Sequence, residues 1–165
     1  MYRSNLTQFL FQENQQHNYV MHTKTESVNY TPYEYGSVMH YDAQSFATSG
    51  QSLVPVNAKY LYTVGSQQIS FQDLDLLNYH YKCNGICATK GAACVNGGKR
   101  SPKNCNSCFC PAGYAGALCS LRPAGCGAVL TAASTWKSKT VVLGNSTNEE
   151  VRGAYTLCND WIKVE

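Results

Sequence analysis

The chain has 165 residues, of which 14% are charged, and its formal net charge at pH 7 is +3. Basic and acidic residues are interspersed, so charge excludes nucleic acid and an anionic membrane surface as expected partners. No window reaches the roughly 18 apolar residues of a transmembrane helix, so we do not expect the chain to span a bilayer. All nine cysteines come after residue 82, which indicates two or three small domains rather than one.

The first segment, residues 1–29, is rich in Gln and Asn. Its apolar residues fit a helical period only in part, and they predict one short helix from Leu6 to Asn18.

A Tyr-rich segment follows, with the sequence Pro32-Tyr33-Glu34-Tyr35-Gly36-Ser37-Val38-Met39-His40-Tyr41. Its last five residues resemble the methionine turn of the astacin family of zinc endopeptidases. The resemblance implies that Met39 packs beneath a zinc site as a polarizable floor without binding the metal. It also implies that the Tyr41 hydroxyl is an additional, fifth zinc ligand, which swings away when substrate enters and donates to the developing oxyanion.

The helix that carries the metal ligands in that family, H-E-x-x-H-x-x-G-x-x-H, occurs nowhere in these 165 residues. His17, His22 and His80 share no ligand spacing, and His40 with Tyr41 gives too few ligands for tight binding. In the family, zinc makes its bound water more acidic and polarises the scissile carbonyl, while a Glu of that helix takes the proton. We therefore expect one zinc ion in a longer parent protein, and neither tight zinc binding nor hydrolysis by this chain alone.

Two regular elements are predicted between the turn and the first cysteine. Leu53-Val54-Pro55-Val56 predicts a short edge strand, because proline cannot donate to a central ladder. Ser70 is a good N-cap residue with an acidic residue three positions later, and it predicts a helix whose apolar residues recur every three to four positions. Those residues are Phe71, Leu74, Leu77 and Tyr81.

The cysteine-rich segment cannot be held together by apolar burial alone and requires disulfides or metal. One alternative is a zinc ribbon that uses Cys83, Cys87, Cys105 and Cys108 as thiolates, but it leaves too many cysteines unexplained. Six cysteines follow the spacing C-x6-C-x10-C-x2-C-x-C-x8-C, at positions 87, 94, 105, 108, 110 and 119. Spacing alone leaves 15 disulfide connectivities open for six cysteines.

This spacing, with Asn96-Gly97-Gly98 and the ending from Cys110-Pro111 to Cys119, resembles an epidermal-growth-factor-like (EGF-like) module. The resemblance implies the pairs Cys87–Cys105, Cys94–Cys108 and Cys110–Cys119, each of which contributes about 2 to 4 kcal/mol to the stability of so small a module. The segment Lys82-Cys83-Asn84-Gly85-Ile86 offers no carboxylate. We therefore expect no calcium site before the first cysteine of the module.

The remaining cysteines extend the pattern. Cys126-Gly127 and Cys158-Asn159-Asp160-Trp161-Ile162 resemble the first third of a CUB domain, a sandwich of two β-sheets, and the resemblance implies a Cys126–Cys158 disulfide. Eight cysteines are then assigned and Cys83 is left over. In astacin-like proteins the corresponding cysteine pairs with one near the start of the catalytic domain, so we expect its partner ahead of this sequence.

The sequence thus predicts a multi-domain α+β fragment. Residues 1–83 are expected to be the C-terminal part of an astacin-like catalytic domain, 84–120 an EGF-like module and 126–165 a partial CUB sandwich. Glycosylation sequons begin at Asn5, Asn29 and Asn145, and with the cysteines they indicate a secreted glycoprotein. The first hypothesis is an extracellular zinc metalloendopeptidase acting on proteins or peptides. The alternative is a non-enzymatic module that binds extracellular partners through its EGF-like and CUB regions.

Overall fold

One α-helix and four short β-strands make up the α and β structure of residues 12–144 and 157–164, the part of the chain that the computed structural model describes. The fold class is α+β. The chain divides into two units, residues 1–81 and 82–165, and the division falls two residues before the predicted boundary at 83. In the described ranges, every helix is too short or too polar to cross a membrane.

Helix α1 spans Phe71–His80 and confirms the helix predicted from Ser70. A reciprocal capping box starts it: the Asp73 amide donates to Ser70 Oγ at 3.0 Å, and the Ser70 amide donates to Asp73 Oδ2 at 2.9 Å. Two of the amides that every helix start leaves without a backbone partner are satisfied in this way. The helix ends at His80, and the amide of the C-cap residue Tyr81 donates to the Leu77 carbonyl at 2.9 Å.

Two predictions for the first unit fail within the described residues. Leu53 to Val56 is not a strand, because Pro55 has no amide and the Leu53 amide instead donates to the Ala43 carbonyl at 3.3 Å. The part of the predicted N-terminal helix from residue 12 to 18 is a turn followed by a 3-10 turn, Gln16–Tyr19. Its remaining part, residues 6–11, lies outside the described residues.

The interior of the first unit is small. Its buried residues in the described range are Ala43, Ser52, Pro55, Val64 and Asp75. The Ser52 amide donates to the Ala43 carbonyl at 2.9 Å, and the Tyr19 hydroxyl lies within hydrogen-bond distance of the Ser45 carbonyl and of Ser52 Oγ. Hydrogen bonds between loops therefore contribute to holding residues 12–65 together.

The second unit begins with an antiparallel hairpin inside a disulfide cluster. Strand β1 (Lys99–Ser101) pairs with β2 (Asn104–Phe109), with Lys99 opposite Phe109 and an irregularity after Arg100. Disulfides join Cys87 to Cys105, Cys94 to Cys108 and Cys110 to Cys119. These are the pairs that the EGF-like resemblance implies, and they exclude the zinc ribbon because three of its four thiolates are oxidised.

Backbone approach is close inside this cluster. Gly91 has φ +123°, and a Cβ on it would lie 2.2 Å from the Cys105 carbonyl oxygen. Only glycine fits there, because both the conformation and the space exclude a side chain. The close approach brings the Ala92 amide to 2.6 Å from the same carbonyl.

A second sheet follows, made of two parallel strands. Strand β3 (Val129–Thr131) pairs with β4 (Trp161–Lys163), and a Cys126–Cys158 disulfide closes the sheet at its start. The Trp161 indole nitrogen donates to the Gly113 carbonyl at 2.9 Å, and its ring lies 5.6 Å from that of Tyr114. Arg122 donates to the carbonyls of Cys126 and Asn159 at 3.0 and 3.1 Å. The sheet is therefore bonded directly to the disulfide cluster.

Arg100 connects the hairpin to the segment before it. Its guanidinium donates to the carbonyls of Ala92 at 2.9 Å, Cys87 at 3.1 Å and Ala88 at 3.4 Å. One cation thus satisfies three carbonyls that no strand partner reaches.

Replacing Arg100 with Met is expected to speed hydrogen exchange at the Ala92 amide about fivefold, which corresponds to about 1 kcal/mol of lost local stability. Exchange measured by NMR on the whole chain tests this. Lys103→Met is the matched control, because it removes one positive charge from a side chain that is exposed like Arg100 but donates to none of these three carbonyls. Equal effects of the two variants would mean that charge, and not the carbonyl contacts, stabilises the segment.

Candidate functional site

The segment Ser37–Tyr41 forms a tight turn in the first unit. The His40 amide donates to the Ser37 carbonyl at 3.1 Å, and the Met39 amide donates to Ser37 Oγ at 3.1 Å. Gly65 lies directly behind the turn, with φ +73° and a would-be Cβ 3.0 Å from the His40 carbonyl oxygen. A larger residue at 65 would push the turn outward, so the glycine is required by this contact.

Asp73 anchors the start of the turn to helix α1. Its carboxylate accepts hydrogen bonds from Ser37 Oγ at 2.5 Å and from the Val38 amide at 3.1 Å. The same carboxylate accepts the Ser70 amide of the capping box. A single side chain therefore starts the helix and fixes a turn that lies more than 30 residues earlier.

The charge state of Asp73 follows from these contacts. Partial burial alone would raise its pKa, but the hydrogen bonds from Ser37, Ser70 and Val38 outweigh that effect and hold the pKa below its ordinary value. The anchor is therefore an ionised carboxylate at neutral pH.

His40 holds the end of the turn. Its Nδ1 lies 2.5 Å from the Tyr41 carbonyl oxygen, and its Nε2 is hydrogen-bonded to the Tyr33 hydroxyl. The rings of Tyr33 and His40 meet edge to face, with centroids 5.4 Å apart.

Tyr41 is about half exposed, with 42% of its surface accessible. Its ring packs edge to face on Phe46 at 5.3 Å and obliquely on Tyr19 at 5.9 Å. The Tyr41 hydroxyl makes no hydrogen bond to any residue in the described ranges. Packing thus fixes the ring while the hydroxyl remains available to a ligand.

A cleft of about 690 Å³ opens beside Tyr41. Met39, which the resemblance places under a metal site, is 86% exposed and borders this cleft. Aromatic and aliphatic side chains form most of its wall, which includes Tyr19, Tyr33, Tyr35, His40, Leu53 and Pro55. Such a concave, mainly apolar surface suits a peptide side chain.

The residues present do not fit a zinc ion. Structural and catalytic zinc sites use three or four His, Cys or carboxylate ligands. No group of three or more His, Cys, Asp or Glu side chains converges anywhere in residues 12–144 and 157–164. Tyr41 alone therefore represents the ligand set that the resemblance implies, and no chemical step through a metal follows from this structure.

The other residues weighed in the sequence analysis, including histidines that it did not assign as ligands, are scattered. Asn29 is exposed and borders a smaller cleft with Met39 and His40. Asn5 and Asn145 lie outside the described residues. His17 belongs to the 3-10 turn and His80 to the end of α1, where its ring lies against Tyr30 and Tyr81. Cys83 follows α1 and takes part in none of the four disulfides.

Sequence reasoning missed three residues of this site. Asp73 was assigned only to the helix cap, and Tyr33 and Tyr19 had no assigned contact. Their partners are distant in sequence or depend on irregular loop geometry, so no periodic pattern marks them. Only Tyr33 has a signal in the sequence, the density of Tyr in residues 30–41, which predicts ring packing without saying which rings meet.

Residues 6–82 match the family described as Astacin, a family of peptidases. The matched range contains the turn, the cleft and helix α1. This segment of the chain is therefore similar to the astacin family.

Curated relatives extend the similarity past the matched range. The chain is 43% identical to zinc metalloproteinase nas-32 of Caenorhabditis elegans over 92% of its own length, and 41% identical to nas-31 over 86%. It is also 41% identical to nas-25 of the same organism over 81% of its length. It covers only 24%, 24% and 34% of these three relatives. No solved structure matches the chain significantly.

Replacing Asp73 with Asn is expected to free both the turn and the helix start. An amide offers one acceptor oxygen and a donating NH2 group, so it cannot accept from Ser37, Val38 and Ser70 together. Hydrogen exchange at the Val38 and Ser70 amides should accelerate. Ser70→Ala is the control: it removes the helix cap, at a cost of about 1 kcal/mol, but leaves the Val38 amide bonded. If Ser70→Ala exposes Val38 equally, the turn depends on the helix cap and not on the carboxylate.

The same carboxylate predicts how protection depends on pH. Because its pKa is lower in the folded chain than the ordinary value of about 3.9, its stabilisation is complete above that value. It is lost as pH falls through the folded pKa. Protection of the Val38 amide, followed by exchange from pH 6 downward, should persist to pH 4 and decline below it in the wild type. A decline centred above pH 4, or the same pH profile in Asp73→Asn, would contradict this assignment.

Proposed function

We propose that this chain is part of a secreted zinc metalloendopeptidase of the astacin type, which hydrolyses peptide bonds in extracellular proteins or peptides. The observation that carries the proposal is the match of residues 6–82 to the astacin family, in a segment where Tyr41 presents its hydroxyl beside an apolar cleft. The printed names of the curated relatives, zinc metalloproteinases, support the same activity.

In this proposal Tyr41 is the residue of the chain that acts on substrate. A phenol near the scissile carbonyl donates a hydrogen bond to the oxyanion that develops during attack, and such a donor accelerates the reaction most when it is held in place beforehand. The packing of the Tyr41 ring on Phe46 and Tyr19 supplies that placement. Met39 shapes the cleft and does no chemistry.

The zinc ligands and the general base belong, in this proposal, to parts of the protein beyond these 165 residues. The sequence contains no H-E-x-x-H motif, and the chain spans about a quarter to a third of the curated relatives it matches. We therefore propose that the chain alone neither binds zinc tightly nor hydrolyses peptides.

We further propose that residues 84–120 are an EGF-like module and residues 126–165 the start of a CUB domain. The three disulfides within 87–119 and the Cys126–Cys158 bridge support this division. Binding of other extracellular proteins through this part is the second candidate function. It is favoured by the complete disulfide framework and by Trp136, which is fully exposed.

The test of the peptidase function uses the longest natural reading frame that contains this chain, expressed as a secreted protein. We expect hydrolysis of a generic peptide substrate that a zinc chelator abolishes. Tyr41→Phe should lower kcat about 100-fold, because one oxyanion donor is lost while the ring is retained.

Tyr62→Phe is the matched control, since Tyr62 is almost fully exposed and lies outside the cleft; it should leave kcat unchanged. The 165-residue chain, titrated with zinc in a calorimeter, should bind weakly and hydrolyse nothing. A longer protein that cleaves peptides in the presence of chelator, or a Tyr41→Phe variant with full activity, would overturn the assignment.

A further inference from the structure

Tyr33 is connected to the Tyr41 backbone through the side chain of His40. The Tyr33 hydroxyl is hydrogen-bonded to His40 Nε2, while His40 Nδ1 lies 2.5 Å from the Tyr41 carbonyl oxygen. These contacts form a continuous path from one phenol to the peptide unit of the other.

The direction of each hydrogen bond in this path is fixed by chemistry. A carbonyl oxygen only accepts, so Nδ1 of His40 carries the hydrogen. In a neutral imidazole the other nitrogen then accepts, and the Tyr33 hydroxyl must donate to Nε2. The two contacts therefore select one tautomer of His40, the form protonated at Nδ1.

Tyr33 is itself held from behind. Its ring meets the Tyr35 ring edge to face at 5.0 Å, and Tyr35 stacks on Tyr60 at 4.5 Å with nearly parallel planes. The Gly65 amide donates to the Tyr35 carbonyl at 2.9 Å, which ties this row of rings to the residue behind the turn. Burial, with a smaller contribution from Tyr35, raises the pKa of Tyr33, so its hydroxyl remains a donor at neutral pH.

We propose that Tyr33 is a positioning residue: its hydroxyl sets the tautomer and orientation of His40, which holds the Tyr41 carbonyl and thereby orients the Tyr41 side chain toward the cleft. The hydrogen-bonded path stands on the geometry alone. Its importance for catalysis rests on the peptidase function proposed above.

Asp73 and Tyr33 stabilise opposite ends of the turn. Asp73 binds the turn at Ser37 and Val38, whereas His40 and Tyr33 bind it where it ends, next to Tyr41. Loss of the Tyr33 hydroxyl should therefore leave the Val38 amide protected and act on His40 and Tyr41 only.

The first experiment reads the tautomer directly. Nitrogen-15 NMR of imidazole-labelled whole chain, at about pH 8 where ordinary imidazoles are neutral, should show His40 protonated at Nδ1, with His40→Asn used to assign its signals among the four histidines. Tyr33→Phe should convert the signal to a mixture of both tautomers. Tyr60→Phe, which removes a hydroxyl from the same row of rings, should not.

A wild-type His40 protonated at Nε2, or an unchanged tautomer in Tyr33→Phe, would overturn the proposal. Preserved protection of the Val38 amide in Tyr33→Phe distinguishes a local effect from unfolding of the unit. If instead that variant loses protection throughout residues 12–81, Tyr33 is a structural residue and the positioning role is refuted.

The second experiment uses the longer active protein. Tyr33→Phe should lower kcat about 10-fold with KM unchanged, because a displaced catalytic group slows the chemical step more than binding, and Tyr60→Phe should match the wild type. A longer protein with no peptidase activity would refute the proposed function while leaving the NMR result valid. An active protein whose Tyr33→Phe variant keeps full kcat would refute the positioning role alone.

Discussion

The candidate site depends on the hydrogen bonds that the Asp73 carboxylate accepts. It accepts the Ser70 amide at the N-cap of α1 and at the same time accepts from Ser37 and Val38, so the helix and the turn share one ionised group. A neutral side chain of similar size cannot accept from all these donors. The first unit has few buried apolar side chains. The hydrogen bonds of Asp73 and His40 therefore stabilise its tertiary structure, as a hydrophobic core does in larger domains.

The sequence predicts features whose residues lie close together in the chain better than contacts between distant residues. The capping box lies within four residues, and Ser70 and Asp73 predicted the start of α1 correctly. The strand predicted at residues 53–56 is wrong, because apolar composition does not provide a pairing strand and the Leu53 amide bonds to the Ala43 carbonyl instead. The contact from Asp73 to Ser37 joins residues 36 positions apart in loop geometry, and no single-sequence pattern contains that information. The resemblance at Ser37–Tyr41 pointed to Tyr41, but it could not supply Tyr33, whose role depends on a hydrogen bond between side chains.

The second unit has a small core and is stabilised by disulfides and by hydrogen bonds to backbone carbonyls. Cys119 is fully buried in this unit. Gly91 allows close approach to the Cys105 carbonyl, and the Arg100 guanidinium binds three further backbone carbonyls. Each of these devices has a sequence signal of different strength. The spacing of the cysteines predicts disulfides. In contrast, an exposed arginine that donates to three carbonyls cannot be distinguished in the sequence from any other surface charge. The hydrogen bonds of Trp161 and Arg122 also join the β3–β4 sheet to the disulfide cluster, in addition to the covalent connection of the chain.

The distance in sequence between Asp73 and its turn affects how the chain is made. A ribosome adds about 5 to 20 residues per second, so the 36 residues between Ser37 and Asp73 take about 2 to 7 s to synthesise. During that interval the nascent chain carries the Met39 turn without its anchor, and its aromatic side chains are open to non-native partners. Co-translational chaperones would be needed most in this window, before the first turn of α1 leaves the exit tunnel.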